Sequence, residues 1–191
     1  MTGGAASSPS PDPTELTRVL SLLVRDVPDF PKPGVVFKDI APLLGDHAGF
    51  SLVVDALAAA GQAEDGSPVV DKVVGIEARG FILATPVAMR LGVGFVPVRK
   101  AGKLPGATYQ ESYALEYGEA TLEIHQDAFV PGERVLVIDD VLATGGTVEA
   151  TSKLVRTSGA DVAAVAVLIE LGFLSGRDKV DAPALTSLLT V

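Results

Sequence analysis

Hydrophobic residues recur along the chain with two different periods, and the changes from one to the other mark the elements. In "DPTELTRVLSLLVRDV", Leu16, Val19, Leu20, Leu23 and Val24 share one helical face. Asp12 suits the N-cap, Pro13 the first helical position, and Glu15 completes a capping-box pattern. The prolines of "PDFPKPGVVFKDI" forbid a helix, leaving Val35–Phe37 as at most a short extended piece. A second helix is predicted from about Gly49 to Ala60. Beyond it "KVVGI" is a short apolar run ending at Glu77, as a buried strand ends, and "GFILATPVAMRLG" has helical length and pattern. "GVGFVPVRK" is strand-like. "ATLEIHQDAF" alternates, with Leu122 and Ile124 on one face, and "RVLVIDD" reads as another buried strand. "GTVEATSKLVRTSG" is a helix ending at Gly159, followed by the strand "DVAAVAVLIEL". Strands alternating with helices predict an α/β fold, a mainly parallel sheet flanked by helices on both faces.

No repeat or second boundary interrupts this pattern, so residues 12–191 read as one domain. Residues 1–11, small, polar and proline-rich, read as a disordered leader. The full chain of 191 residues is 48% hydrophobic, enough for a sizeable core. Fifteen Lys and Arg against 24 Asp and Glu give a net charge of −9, which argues against nucleic acid and against an anionic membrane surface as partners. With no cysteine, thiolate chemistry, disulfides and cysteine metal sites are excluded. The N-terminus lacks the features of a signal peptide, and no apolar run approaches the ~18 residues of a membrane helix. A cytoplasmic enzyme-sized domain is the expectation.

One stretch departs from this bland background. In "RVLVIDDVLATGGTVEA" two adjacent carboxylates, Asp139 and Asp140, end a buried strand, and a small-residue turn leads into a helix. Ligands of open α/β sheets bind beyond the carboxyl ends of the strands. The turn Ala143–Thr144–Gly145–Gly146–Thr147 can aim several backbone N–H groups and two hydroxyls at one point, with the helix dipole behind them. That suits a phosphate, although no Walker A pattern is present. For "TGGT" alone an ordinary tight turn explains as much. Two carboxylates directly before it favour a phosphorylated sugar, whose hydroxyls they would bind.

"VLVIDDVLATGGT" resembles the phosphoribosyl-diphosphate-binding motif of the type I phosphoribosyltransferases. "DFPKPGVVFKDI", "GIEARGF", "VGFVPVRKAGKLPG", "SYALEYG" and "LEIHQDAF" are similar to the adenine-using branch of that family, in order from about Asp29 to Val180. Lys38 stands where arginine is common and Val141 where leucine is common. The resemblance implies a small N-terminal hood, a flexible lid loop, a homodimer, and transfer of the 5-phosphoribosyl group from 5-phosphoribosyl 1-diphosphate to adenine in purine salvage. It implies Mg²⁺ held mainly by substrate, with no dedicated protein metal site.

The other candidate residues fit this picture. Arg99, Lys100 and Lys103 form a basic cluster without an intervening acid, in an acidic chain. A solvated loop would explain them, but so would a diphosphate leaving group, which needs cationic stabilisation. The resemblance implies that Arg79 and the Lys100/Lys103 loop contact the diphosphate, and that such loops reach across a dimer interface, which makes Arg99 available to the neighbouring subunit. Residues 101–113 lack periodicity and read as a lid that excludes water. Glu116 is, by resemblance, the group that receives or relays the purine N9 proton, while its residue type alone fits a surface position. Phe37 either stacks on a purine or packs in the core, and from the pattern alone core packing is the stronger reading. Backbone groups at Val36 and Lys38, with Val141, are the implied adenine contacts. His47 and His125 stand without a motif and read as structural or solvated. A transferase for xanthine, hypoxanthine or orotate, or a non-catalytic sensor of the ribosyl diphosphate, are the alternatives.

Overall fold

A computed structural model describes residues 11–114 and 118–191. The leader expected at residues 1–11 therefore lies outside the described residues except for Pro11, and Glu116 lies outside them too. Helix α1 (Pro13–Leu23) starts as the pattern predicts, with the Asp12 carboxylate accepting from Thr14 N–H at 2.8 Å. Strands β1 (Arg25–Pro28) and β2 (Val36–Asp39) pair antiparallel as a separate two-stranded sheet, the expected hood. Helix α2 (Ala41–Gly45) is short; α3 (His47–Ala58) is capped by Asp46, which accepts from Gly49 N–H. The main sheet is built from β3 (Lys72–Ile76), β4 (Gly94–Lys100), β5 (Thr108–Ala114), β6 (Glu119–His125), β7 (Arg134–Leu142), β8 (Asp161–Glu170) and β9 (Leu185–Thr190). Helix α4 (Arg79–Leu91) joins β3 to β4, and α5 (Gly146–Thr157) joins β7 to β8.

The seven strands lie in the order β5-β6-β4-β3-β7-β8-β9. Neighbours from β4 through β3, β7 and β8 to β9 run parallel, while β6 is antiparallel to both β4 and β5. Alternation along β7 shows why this sheet needs helices on both faces. Leu136 and Ile138 join Leu83 and Val87 of α4 in one core, whereas Val135 and Val137 join Val148, Leu154 and Val155 of α5 in the other. Among the described residues no helix is long and apolar enough to cross a membrane.

The stretch expected to be a loop from 101 to 113 is one only in its first half. Residues 108–114 form β5, paired with β6 from Thr108↔His125 to Ala114↔Glu119. Its sequence, TYQESYA, is too polar to advertise a strand, yet Tyr109 and Tyr113 pack against the core beneath α5.

Candidate active site

The sheet places its crevice beside β3. From β3 the chain crosses through α4 to β4 on one side, while β7 lies on the other, so the carboxyl ends of β3 and β7 flank the switch point at which open α/β sheets bind ligands. Helices α4 and α5 both begin there, with their unsatisfied N–H groups and positive dipole ends.

Asp139 and Asp140 lie near the end of β7, only 8% and 6% exposed. Asp139 Oδ1 accepts the N–H of Asp140 at 2.9 Å. Burial first, and then the charge of Asp140, push the Asp139 carboxyl well above the ordinary aspartate range. Asp140 Oδ2 lies 2.5 Å from Arg79 Nε, an ion pair whose atoms are not aligned as a hydrogen bond. The N-terminus of α4 reaches this strand end because residue 80 is glycine: a Cβ there would stand 2.9 Å from Asp139 Oδ1 and 3.0 Å from Ile138 O.

The phosphate-type turn follows directly. Gly145, at φ 82°, is the N-cap of α5, a left-handed conformation that glycine adopts at no steric cost. Its backbone interlocks with that of Gly176: a Cβ on Gly145 would collide with Gly176 O, and one on Gly176 with Ala143 O. Gly176 opens a 3-10 turn (Gly176–Lys179) whose next residue, Arg177, clamps Glu170 at the end of β8 through Nε at 2.9 Å and Nη2 at 2.5 Å. Ser187 of β9 donates to the same carboxylate at 2.7 Å. The Arg177 bonds hold the Glu170 pKa below its usual range against the opposing effect of burial. Thr144 is exposed at the mouth of the turn, and the Thr147 hydroxyl is hydrogen-bonded to Tyr113 Oη at 3.2 Å.

The basic cluster is divided in its roles. Arg99 pairs with Glu77 at the end of β3 (Nε–Oε2 3.1 Å) and donates to Lys103 O at 3.0 Å, so in this conformation its charge is engaged within its own chain. Glu77 also accepts from Lys100 N–H at 3.0 Å. Buried Glu123 of β6 accepts the N–H groups of Lys103 and Leu104 at 2.8 and 2.7 Å. Burial opposes ionisation of both glutamates, but Arg99 for Glu77 and the loop N–H groups for Glu123 outweigh it and lower each pKa. The backbone of the loop is thus fixed while the Lys100 and Lys103 side chains remain exposed.

Phe37 belongs to neither core. It packs edge-on against Phe30, and Arg79 Cζ lies 5.1 Å from its ring centroid, so the hood and the acidic strand end meet through Arg79. Val36 and Lys38, one residue to either side, line a cleft of about 670 Å³ on the opposite face of β2 with Leu171, Phe173 and Val191. Val141 is half-buried beside Asp140. Of the residues singled out in the sequence, Arg79, Asp139, Asp140 and the 143–147 turn converge, with Phe37 above them. The supporting groups Glu77, Glu123, Glu170, Gly176 and Arg177 were not singled out; Glu77 and Glu123 meet Arg99 and the Lys103 N–H only across 22 and 20 residues of chain, and Glu170 meets Arg177 only through the 3-10 turn after β8. Among the described residues there is no group of three or more His, Cys, Asp or Glu able to hold a metal ion.

An acidic strand end at the switch point, next to a glycine-shaped N–H turn, defines an α/β enzyme that takes a phosphorylated sugar. The chain belongs to the phosphoribosyltransferase family: the model of the phosphoribosyl transferase domain matches residues 44–188. It is 64% identical to an adenine phosphoribosyltransferase of Nocardioides sp. over 96% of this chain and 98% of that one. Among solved structures it is similar to the adenine phosphoribosyltransferase of Rhodothermus marinus, with 49% identity, TM-score 0.85, and coverage of 93% of this chain and 99% of that chain. It is also similar to the Saccharomyces cerevisiae enzyme complexed with an imino-altritol bisphosphate and adenine, with 38% identity, TM-score 0.86, and coverage of 91% and 98%.

Proposed function

We propose that the chain transfers the 5-phosphoribosyl group from 5-phosphoribosyl 1-diphosphate to adenine, giving AMP and diphosphate in purine salvage. The observation that carries this is the convergence of Asp139, Asp140 and the 143–147 turn at the switch point, in a chain 64% identical to an adenine phosphoribosyltransferase. The turn anchors the 5′-phosphate, so that binding energy remote from the reacting carbon positions it. Asp139 and Asp140 accept the ribose hydroxyls, and Asp140 offers negative charge to the cationic character that develops at C1 as the bond to diphosphate breaks. Arg79 turns from Asp140 to the departing diphosphate once the ribose hydroxyls take its place. Exposed Lys100 and Lys103 serve the same leaving group, with Arg99 a further cation whose release from Glu77 that role requires. Adenine stacks on Phe37 against Val141, and the unpaired edge of β2 offers backbone groups at Val36 and Lys38 to its rim. Purine N9 forms the new bond to C1, and its proton passes to Glu116.

Mg²⁺ fits the donor set as a substrate-held ion, since among the described residues no group of three His, Cys, Asp or Glu could hold it and Asp140 is paired with Arg79. Bound in that way, it supplies neutralisation of the diphosphate charge. The acting unit is one domain, residues 12–191, working in the cytoplasm as a homodimer. Ile82 and Met89 of α4 are exposed apolar side chains available to such a contact. Purified protein incubated with adenine, the ribosyl diphosphate and Mg²⁺ should release AMP and diphosphate. Turnover of hypoxanthine, xanthine or orotate in place of adenine, or binding of the ribosyl diphosphate with no turnover of any base, would refute the assignment.

A further inference from the structure

We propose that Tyr113 is a positioning residue that couples the phosphate turn to the β5–β6 hairpin. This rests on the reading of residues 143–147 as the 5′-phosphate site. Two contacts join the hairpin to that turn. Tyr113 Oη lies 3.2 Å from Thr147 Oγ1. The tyrosine ring lies on Gly146, where an added Cβ would stand 3.1 Å from Tyr113 Cδ2, so the bare backbone at 146 leaves the ring its place. A further tie lies along α5, where Lys153 Nζ reaches Glu111 Oε1 at 3.5 Å as well as Glu149.

The chemistry of the hydroxyl pair gives the coupling its direction. A hydroxyl carries one proton and two acceptor lone pairs, and here Thr147 Oγ1 donates its proton to Tyr113 Oη. A fully ionised phosphate only accepts. When one occupies the turn, Thr147 gives it the single proton it has, and its lone pair then takes the Tyr113 proton. The result is a relay from Tyr113 through Thr147 to phosphate, in which each bond polarises the next. Phosphate binding therefore strengthens the attachment of β5 to α5. Gln110 and Ser112, the neighbours on β5, point their polar groups elsewhere, to Glu123 and Thr121, and have no part in this.

The test measures ribose 5-phosphate binding by calorimetry in the full chain, in Tyr113→Phe, in Thr147→Val and in the double variant. Phenylalanine keeps the ring over Gly146 and removes only the hydroxyl. Affinity should fall about fivefold to tenfold in Tyr113→Phe. The same change made in the Thr147→Val background should add less than about twofold, because the relay is already broken. Thr147→Ser, which keeps the hydroxyl, should retain the full effect of Tyr113→Phe. Ribose 5-phosphate should slow tryptic cleavage after Lys103 in the wild type and not in Tyr113→Phe. In turnover, Tyr113→Phe should raise the KM for the ribosyl diphosphate and leave the KM for adenine unchanged. An unaltered affinity, an equal loss in both backgrounds, or no binding of ribose 5-phosphate by the wild type overturns the proposal. A protein that shows the coupling but turns over no adenine fails the proposed function while this inference stands.

Discussion

Replacing Asp139 by asparagine separates what this residue does for the substrate from what it costs the fold. Asparagine keeps the shape, so its Oδ1 still accepts the Asp140 N–H now bonded at 2.9 Å, and Gly80 still clears it. A buried negative charge beside a second carboxylate is removed, while the nearby guanidinium of Arg79 stays paired with Asp140. Relief of this kind at a functional site is worth about 0.5–2 kcal/mol. At ~2–4 °C per kcal/mol for a chain of this size, the unliganded variant should melt about 1–8 °C higher. The pKa of Asp139 is raised in the folded state. Its favourable contribution is therefore complete below the unfolded value of about 3.9 and is lost as pH rises through the folded value. The advantage of the variant should accordingly be small in acid, widen with rising pH, and level off once the wild-type carboxylate is ionised.

Scanning calorimetry of both proteins between about pH 4.5 and 9 reads this directly. Binding should move the other way: a charged acceptor for ribose hydroxyls is worth about 1.5–3 kcal/mol, so affinity for the ribosyl diphosphate should drop about 10- to 150-fold. A variant that melts at or below the wild type throughout, or a gap that does not change with pH, would show that Asp139 carries no penalised charge.

Three further substitutions probe the surrounding parts. Gly176→Ala, outside the turn itself, drives a Cβ into Ala143 O and should raise the KM for the ribosyl diphosphate while sparing that for adenine, with a stability loss of about 1–3 kcal/mol; an unchanged KM would refute the interlock. Arg177→Met leaves Glu170 without its guanidinium and should cost about 1–3 kcal/mol, a figure reduced because Arg177 is partly exposed. The Glu170 pKa lies below its reference value of 4.5, so the contribution of the pair is present above that pH and lost as pH falls through the folded value; the gap between variant and wild type in urea titrations should close on acidification. Glu116→Gln should lower kcat by about 10²–10⁴-fold with ribosyl-diphosphate binding nearly normal, as single-turnover kinetics and calorimetry would show; near-normal turnover would remove the proton-transfer role.

The legible parts of this chain were those in which one local pattern carries the whole signal. β7, the turn after it and α5 are contiguous, so apolar run, carboxylates, glycines and helix all appear in one reading frame of "VLVIDDVLATGGTVEA". α1 was legible through Asp12 and Pro13, and α3, expected from about Gly49 to Ala60, runs from His47 to Ala58. The hairpin strand β5 was not legible, because Thr108, Gln110, Glu111 and Ser112 are polar and the strand is defined by its partner β6. β9 was missed likewise: its Leu185, Leu188 and Leu189 gain meaning only beside β8. From its type alone core packing was the stronger reading of Phe37, with stacking on a purine the alternative, and only the folded hood brings it over Arg79. The Glu170–Arg177–Ser187 clamp spans β8, a 3-10 turn and β9, and nothing in the spacing of those three residues marks them as partners.

If the proposed roles hold, the two contacts of Arg79 predict an order for the binding of the two substrates. Arg79 sits on Asp140 and caps the Phe37 ring at the same time. As long as it does, the face of Phe37 toward the acidic strand end is occupied by a guanidinium, and a purine there must displace it from both contacts. Under the proposed roles, ribose hydroxyls would replace Arg79 on Asp140 and the diphosphate would attract the released cation, so that the sugar substrate would uncover the platform for the base. Adenine should therefore bind weakly alone and about tenfold or more tightly once the ribosyl diphosphate site is filled, the size of an ordinary coupling between sites. Calorimetric titration of adenine with and without a non-reacting ribosyl diphosphate analogue measures the difference, and Arg79→Ala should reduce it by raising the affinity for adenine alone. Equal adenine affinities in the presence and absence of the analogue would mean that the guanidinium over Phe37 does not obstruct the base.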